Sequence, residues 1–205
     1  MENAIEVCGL CKTYPDFSLD HVSFTVPQGC IMGFIGENGA GKSTTIKALM
    51  NLIHRDAGVV EIFGMALDEH ENEIKEKIGV VFDECCFHDN LTPYDISRIL
   101  GNIYQNWDWK LYEQYLTQFG LAKKKKIKEF SRGMKMKLGI AAALAHKPDL
   151  LILDEATSGL DPIVREEILD IFLDFIQDEH HAILISSHIT SDLDKIADYL
   201  TFIHQ

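Results

Sequence analysis

The sequence has no apolar run long enough to cross a membrane. A transmembrane helix needs about 20 consecutive, mainly apolar residues, and the apolar runs here, such as residues 150–153, are far shorter. The N-terminus also lacks the basic start and apolar stretch of a secretory signal. We therefore expect no direct membrane insertion. If the protein works at a membrane, another chain must hold it there.

Positive charge is scarce. The chain has 19 lysines and arginines against 32 aspartates and glutamates, which gives a net charge of -13. So acidic a protein repels nucleic-acid phosphates and anionic lipid headgroups. We therefore expect no nucleic acid among its partners, and any site for an anion must be locally positive.

The five cysteines do not form a pattern that predicts a disulfide or a zinc site. Cys8 and Cys11 have the spacing of half a redox or zinc site, but no second pair with this spacing follows. Cys85 and Cys86 are adjacent, so a disulfide between them would be strained. We expect reduced, structural thiols in a cytosolic protein.

Short apolar runs alternate with amphipathic helical stretches, which predicts an α/β fold with a largely parallel sheet. A stretch of only helical pattern separates two α/β halves. It predicts a helical subdomain at 84–147, inserted into an α/β core made of 1–83 and 148–205. Strands are expected at 31–35, 59–63, 79–82, 150–153, 182–186 and 200–203, helices at 42–54, 131–145, 163–176 and 191–197, and a turn at 56–58.

Residues 36–44 read GENGAGKST and match the P-loop pattern between a predicted strand and a predicted helix. In this arrangement glycines let backbone N–H groups point at phosphate oxygens, and the helix N-terminus favours negative charge. The lysine reaches the β- and γ-phosphates, and the serine hydroxyl binds Mg²⁺. The predicted nucleotide-binding residues of this loop are Gly36, Asn38, Gly39, Ala40, Gly41, Lys42, Ser43 and Thr44.

Asp154 and Glu155 follow the apolar run of residues 150–153. Acids at the carboxyl end of a buried strand indicate a site, because buried strands seldom tolerate charge. With a P-loop upstream, Asp154 is predicted to hold Mg²⁺ through water, together with Ser43. Glu155 is predicted to act as the general base for the attacking water.

In this order, the motifs resemble those of ABC transporter nucleotide-binding domains, and the resemblance covers nearly all of the chain. Residues 130–134, FSRGM, stand where the family has its LSGGQ signature, and residues 158–161, SGLD, resemble its D-loop. His188 resembles the switch histidine, and Tyr14 the aromatic residue that stacks on adenine. Met134 replaces the signature glutamine, and with this residue the sequence resembles bacterial exporter subunits of the bacitracin-resistance type.

The resemblance implies a P-loop NTPase core with an N-terminal antiparallel β part and an inserted helical subdomain. It also implies ATP and Mg²⁺ as cofactors, and a second nucleotide-binding subunit, identical or different, that clamps two ATP molecules head to tail. Ser131 and Gly133 of the signature would act on the partner's nucleotide, Asp161 would belong to the D-loop, and His188 would contact the γ-phosphate. A separate transmembrane permease would place the protein at the cytoplasmic face of the cell membrane.

The chain departs from the family at two positions of the site. Asp83 stands where the family has a glutamine that touches Mg²⁺, and Arg132 replaces the first glycine of the signature. A carboxylate at this position attracts Mg²⁺ and repels phosphate, so Asp83 is a predicted metal ligand that would make nucleotide affinity depend steeply on Mg²⁺. Alternatively, Asp83 points to solvent. Arg132 either reaches the partner's nucleotide or faces solvent.

Other functions stay open at this point. A nucleotide-gated binding module would clamp ATP with little hydrolysis, which Glu155 and His188 disfavour. A soluble ABC ATPase acting on DNA or ribosomes would carry two such domains or a coiled coil, and this acidic sequence shows neither. Relatives usually continue past the position of Gln205, so we expect a trimmed or unusually short domain.

Overall fold

The computed structural model describes residues 2–188 and 190–204, and within these ranges the chain forms strands and helices in alternation. The strands are β1 (Asn3–Tyr14), β2 (Phe17–Pro27), β3 (Ile31–Ile35), β4 (Ala57–Ile62), β5 (Met65–Ala66), β6 (Ile78–Val81), β7 (Leu150–Asp154), β8 (Ala182–Ser187) and β9 (Tyr199–Phe202). The helices are α1 (Lys42–Leu49), α2 (Glu71–Lys77), α3 (Pro93–Leu100), α4 (Trp109–Gln118), α5 (Arg132–Leu144), α6 (Pro162–Phe175) and α7 (Thr190–Ile196), with a short 3-10 turn at Ile127–Glu129.

The strands form two sheets. An antiparallel sheet has the order β2-β1-β4-β5, and a parallel sheet has the order β6-β7-β8-β3-β9. The α/β class, the mainly parallel core sheet and the antiparallel part near the N-terminus are thereby confirmed. Of the described helices, none is long and apolar enough to cross a membrane.

The central strands of the parallel sheet are buried on both faces, which explains their unbroken apolar sequences. Every residue of β7 and β8 is buried. Leu150 and Ile152 face a core shared with the antiparallel sheet and α1. Leu151 and Leu153 face the opposite core, against α5 and α6. Alternation with period two therefore divides one apolar run between two cores.

A third apolar cluster lies among α3, α4 and α5, inside the helical subdomain predicted at 84–147. Tyr112 is almost fully buried there, and its ring centroid lies 5.2 Å from that of Trp107. The boundaries of the subdomain stay a prediction. Met136 and Ile140 of α5 pack in the core of the parallel sheet, so one helix serves both parts.

Two local expectations are wrong. The helix expected at 42–54 ends at Leu49, because Met50 caps it and Asn51 takes a left-handed conformation with φ 54°. The turn expected at 56–58 is largely the start of β4.

The hydroxyl of Tyr112 donates a hydrogen bond to the carbonyl oxygen of Pro93 at 3.1 Å, and burial raises the pKa of this phenol well above its usual range. Tyr112→Phe leaves that buried carbonyl without its donor. We expect the free energy of unfolding, measured by urea denaturation, to fall by about 1–2 kcal/mol. Tyr94→Phe is the matched control: Tyr94 is 53% exposed, and stability should change by less than about 0.5 kcal/mol. Equal effects at both positions would contradict the assignment.

Candidate functional site

The loop of residues 36–44 joins β3 to α1 at the carboxyl edge of the parallel sheet. Gly41 caps α1 with φ 108°, a left-handed conformation that side chains disfavour. A Cβ at this position would lie 2.4 Å from Leu19 Cδ2 and 2.8 Å from Phe17 Cζ. The antiparallel sheet is therefore packed so closely on the loop that only glycine fits.

Lys42 provides the positive charge of this loop. Its side chain is only 6% exposed, and Nζ donates to the carbonyl oxygens of Gly36 at 2.6 Å and Glu37 at 3.3 Å. The same Nζ lies 3.5 Å from Glu155 Oε1. A buried ammonium at the start of α1 makes the loop locally positive within an acidic protein, as a site for an anion must be.

A cavity of about 660 Å³ opens over this loop. It is the candidate site for a triphosphate, and most of the predicted site residues meet in it. Its lining consists of Asp16, Phe17, Glu37, Asn38, Gly39, Gly41, Lys42, Ser43, Thr44, Asp83, Glu155, Ser158 and His188.

Ser186 on β8 holds the two acids that follow β7. Its hydroxyl donates to Asp154 Oδ1 at 2.7 Å, and the backbone N–H of Glu155 donates to Ser186 Oγ and to its carbonyl oxygen, both at 3.1 Å. Glu155 has φ 54°, so the chain turns sharply between the two carboxylates. Sequence reasoning missed Ser186, although parallel register puts it opposite Asp154.

Glu155 and His188 are in direct contact. His188 Nδ1 lies 2.6 Å from Glu155 Oε2, and the other carboxylate oxygen faces Lys42. The glutamate side chain is mostly buried, while the imidazole is 44% exposed. The two predicted catalytic residues thus form a chain with the loop lysine, Lys42–Glu155–His188, along the cavity.

Oxygen ligands suitable for Mg²⁺ are present in this region. The ion prefers carboxylate, hydroxyl and water oxygens, and the hydroxyl of Ser43 and the carboxylate of Asp83 both line the cavity. Asp154 is 6% exposed and hydrogen-bonded by Ser186, but it does not line the cavity. The carboxylate and hydroxyl donors that line the cavity fit Mg²⁺, and the role of Asp154 stays a prediction.

Tyr14 lies outside this cavity, in a neighbouring one of about 640 Å³ at the β1–β2 turn. Its side chain is 41% exposed, and its ring centroid lies 6.4 Å from that of Phe17, which lines both cavities. Ala40 of the loop lines the Tyr14 cavity too. An aromatic platform therefore adjoins the phosphate loop, and Phe17 extends it in a way the sequence did not single out.

Ser131, Gly133 and Asp161 lie apart from the chain's own phosphate cavity, since none is among the described residues that line it. Ser131 caps α5 and accepts the N–H of Met134 at 3.2 Å. Asp161 caps α6 and accepts the N–H of Val164 at 3.0 Å. Helices α5 and α6 meet here, because a Cβ on Gly133 would lie 3.3 Å from Val164.

Asp83 and Arg132 form an ion pair and a hydrogen bond between Asp83 Oδ1 and Arg132 Nη2. Both side chains are about half exposed. The sequence suggested separate alternatives for each residue, and none of them included this contact. The two departures from the family pattern therefore compensate each other in charge.

Cys11, Asp20 and His21 place potential metal-ligating atoms within 4.8 Å of one another on the β1–β2 hairpin. His21 Nδ1 and Asp20 Oδ1 already pair at 2.5 Å, and Cys11 Sγ accepts the N–H of His21 at 3.3 Å. These two hydrogen bonds explain why the potential ligand atoms of the three residues lie close together. All five cysteines are free, in agreement with the predicted thiols.

A comparison with protein-family models identifies the family. The ABC transporter family model matches residues 19–158, which is more than half of the chain. The chain belongs to the ABC transporter ATP-binding family. Its members are ATPases, and this chain is an ATP-binding subunit of that family.

Two relatives match nearly the whole chain. The bacitracin transport ATP-binding protein BcrA of Bacillus licheniformis is 39% identical over 208 residues, covering 100% of this chain and 68% of the relative. The lantibiotic transport ATP-binding protein SrtF of Streptococcus pyogenes is 37% identical, covering 98% and 87%. These names agree with the predicted resemblance to exporter subunits of the bacitracin-resistance type.

A solved structure described as the ATP binding subunit of an ABC transporter has the same fold. Its TM-score is 0.88 at 29% identity, and the match covers 98% of this chain and 86% of that one. The P-loop NTPase fold expected from the resemblance is therefore confirmed.

Ser186→Ala removes the hydroxyl that holds Asp154 and Glu155 without touching the P-loop. We expect ATP hydrolysis to fall by about tenfold or more and the Mg²⁺ concentration for half-maximal rate to rise, because both carboxylates lose orientation. Steady-state rates across a Mg²⁺ titration measure both quantities.

Ser97→Ala is the matched control. Ser97 is equally buried, and its hydroxyl accepts a hydrogen bond from Trp107 Nε1 at 3.1 Å, inside the helical cluster. It should lose comparable stability but keep its rate and Mg²⁺ dependence. A parallel loss of activity in both variants would mean that Ser186 acts only on stability.

Proposed function

We propose that this chain is the ATP-hydrolysing subunit of an ABC exporter, pairing with a second such subunit and powering a separate membrane permease. The observation that carries the proposal is the contact chain Lys42–Glu155–His188 along the P-loop cavity. It joins a phosphate-binding cation, a carboxylate and a histidine within hydrogen-bonding or ion-pair distance. A binding module that only clamps ATP needs the first of these groups and not the other two.

The loop binds the triphosphate through backbone N–H groups, the N-terminus of α1 and Lys42. The other loop residues proposed to bind nucleotide are Gly36, Asn38, Gly39, Ala40, Gly41 and Thr44. Tyr14 and Phe17 offer aromatic faces for the adenine. In this proposal Lys42 exchanges its bonds to the carbonyl oxygens of the loop for bonds to phosphate oxygens, which are stronger acceptors because they carry charge. The local positive potential outweighs the net charge of -13 only at this short range.

Ser43 and Asp83 would hold Mg²⁺ directly and Asp154 through water. When bound, the ion neutralises charge on the phosphates. The residues themselves do the rest of the chemistry. Glu155 accepts the proton of the attacking water as general base. His188 would exchange the hydrogen bond that its N–H donates to Glu155 for one to the γ-phosphate, because a neutral imidazole has a single N–H to donate. The 2.6 Å contact between His188 Nδ1 and Glu155 Oε2 supports this arrangement, because it keeps the imidazole beside the base.

A second copy, or a closely related subunit, completes the site. Ser131 caps α5, Gly133 lies in its first turn, and Asp161 caps α6. None of the three is among the described residues that line the phosphate cavity of their own chain. Placed head to tail, the N-terminus of α5 would face the partner's γ-phosphate. Closure of the dimer then requires ATP, and hydrolysis permits it to open.

This chain has a groove that suits a permease partner. A cavity of about 800 Å³ lies between β6 and the helical subdomain. Phe87, Leu100 and Tyr104 give it an apolar wall, while Glu84 and Asp89 stand among its acidic groups. We propose that it receives a cytoplasmic helix of the permease, which places the chain in the cytoplasm at the inner face of the membrane.

Two groups of this groove are held neutral. Burial is the main reason that the pKa of Cys85 is raised and that of His146 is lowered. His146 stacks on Tyr104, and its Nε2 lies 3.1 Å from the carbonyl oxygen of Ile78, which requires a proton on Nε2. These two side chains are thus uncharged near pH 7, which suits contact with an apolar helix face.

Glu155→Gln tests the proposed hydrolysis and dimer together. We expect phosphate release to fall by about 100-fold or more, since the amide cannot accept a proton. Mg-ATP should then hold the variant as a stable dimer in size-exclusion chromatography, while the wild type returns to monomer. Glu113→Gln, on the far helix α4, should match the wild type in both measurements.

An unchanged rate in Glu155→Gln would contradict its role as base. Absence of both dimer and hydrolysis in wild type and variant would instead indicate a nucleotide-sensing module or a need for a different partner subunit.

Phe87→Glu tests the groove. A carboxylate in the apolar wall should weaken copurification with the permease by about tenfold or more, while ATP hydrolysis by the isolated subunit stays within about twofold. Ile103→Glu is the matched control, because Ile103 is 61% exposed on the same subdomain and does not line the groove. Equal copurification of the two variants would place the permease elsewhere.

A further inference from the structure

The pair between Asp83 and Arg132 connects the ATP cavity to the signature helix within one chain. Asp83 lies just after β6 and lines the phosphate cavity. Arg132 is the first residue of α5, 49 positions later, and its Nη2 donates to Asp83 Oδ1. The signature residues Ser131 and Gly133 on either side of Arg132 lie off this cavity.

Gly159 leaves space for this guanidinium. A Cβ on Gly159 would lie 2.9 Å from Arg132 Nη1 and 3.0 Å from Cζ, so the planar group rests against the loop backbone. The side chain is therefore held on two sides, by a carboxylate of one loop and by the backbone of another. An arginine free to reach another subunit's nucleotide would not be engaged in this way.

The charges around the cavity show what this contact achieves. Among the residues that the structure describes, four acids line it, Asp16, Glu37, Asp83 and Glu155, against one permanent cation, Lys42. Lys42 faces Glu155. Asp83 would repel the phosphates of ATP unless another cation compensated it, and Arg132 is that cation.

We propose that Arg132 is a positioning residue of its own chain's ATP site, which neutralises Asp83 so that the triphosphate binds before Mg²⁺ does. This inference rests on the proposed ATP-binding function and adds a role in cis to a residue of the signature. It also revises the expectation for Asp83, because a compensated carboxylate repels ATP far less than the sequence alone predicts. Asp83 remains available to Mg²⁺ through its second oxygen.

Both side chains are about half exposed, so the pair contributes little to folding. Its effect belongs to ligand binding, where the negatively charged phosphates of ATP enter the same cavity. ATP affinity in the absence of metal is therefore the quantity to measure, rather than stability or hydrolysis.

The experiment is a set of ATP titrations by calorimetry in EDTA, at protein concentrations where size-exclusion chromatography shows monomer. We expect Arg132→Gln to weaken ATP binding by about threefold to tenfold. In the Asp83→Asn background, Arg132→Gln should change the metal-free ATP affinity by less than about twofold. Arg132→Lys, with Asp83 intact, should keep most of the wild-type affinity. With saturating Mg²⁺ the deficit of Arg132→Gln should shrink.

Lys135→Gln is the matched control. Lys135 lies one turn further along α5 and pairs with Asp89 at 3.0 Å, but neither residue lines the phosphate cavity. Its metal-free ATP affinity should equal that of the wild type. Lys42→Ala should abolish binding in all conditions and so shows that the titration reports on the P-loop.

Unchanged metal-free affinity in Arg132→Gln would overturn the inference, and so would a loss that persists in the Asp83→Asn background. A variant that binds ATP normally as a monomer but hydrolyses it slowly as a dimer would show that Arg132 serves the partner's nucleotide instead. If the wild type binds no ATP even with Mg²⁺, the proposed function itself fails.

Discussion

The parallel pairing of β3, β7 and β8 is the constraint on which the site depends. Their carboxyl ends meet at one edge of the sheet, and each end carries a part of the chemistry: the P-loop after Ile35, the acids Asp154 and Glu155, and Ser186 with His188. Parallel strands pair in an evenly spaced ladder, so the register that seals the core also sets the distances among these groups. A slip by one residue would turn Asp154 away from Ser186.

The two cores fix this register from both sides. Alternate residues of β7 and β8 pack against the antiparallel sheet and against α5 and α6. Because α5 shares one core with the parallel sheet and another with the helical subdomain, a shift of that subdomain acts directly on β6. Asp83, just after β6, lines both the phosphate cavity and the groove proposed for the permease.

Much of the candidate site could be predicted from sequence because its chemistry is local. GENGAGKST specifies a turn, a helix start and a lysine within nine residues, and Asp154-Glu155 directly follows an apolar strand. Local elements were predicted well where their signals were strong. The helices expected at 131–145 and 163–176 are found as α5 and α6 to within one residue at each end. The predicted end of α1 was wrong because the spacing of its apolar residues does not indicate that Asn51 takes a left-handed conformation.

The sequence by itself therefore predicted the family and the α/β class, which are confirmed, and it supplied the proposal for which residues bind phosphate, hold the metal and act as base. The tertiary structure alone decided which of them touch. Ser186 supports Asp154, His188 meets Glu155, and Arg132 compensates Asp83, each across 32 to 49 residues of chain. Such pairs depend on strand register and on the packing of α5 against the sheet, which no local pattern encodes. Charge compensation between two unusual residues becomes visible only when folding brings them together.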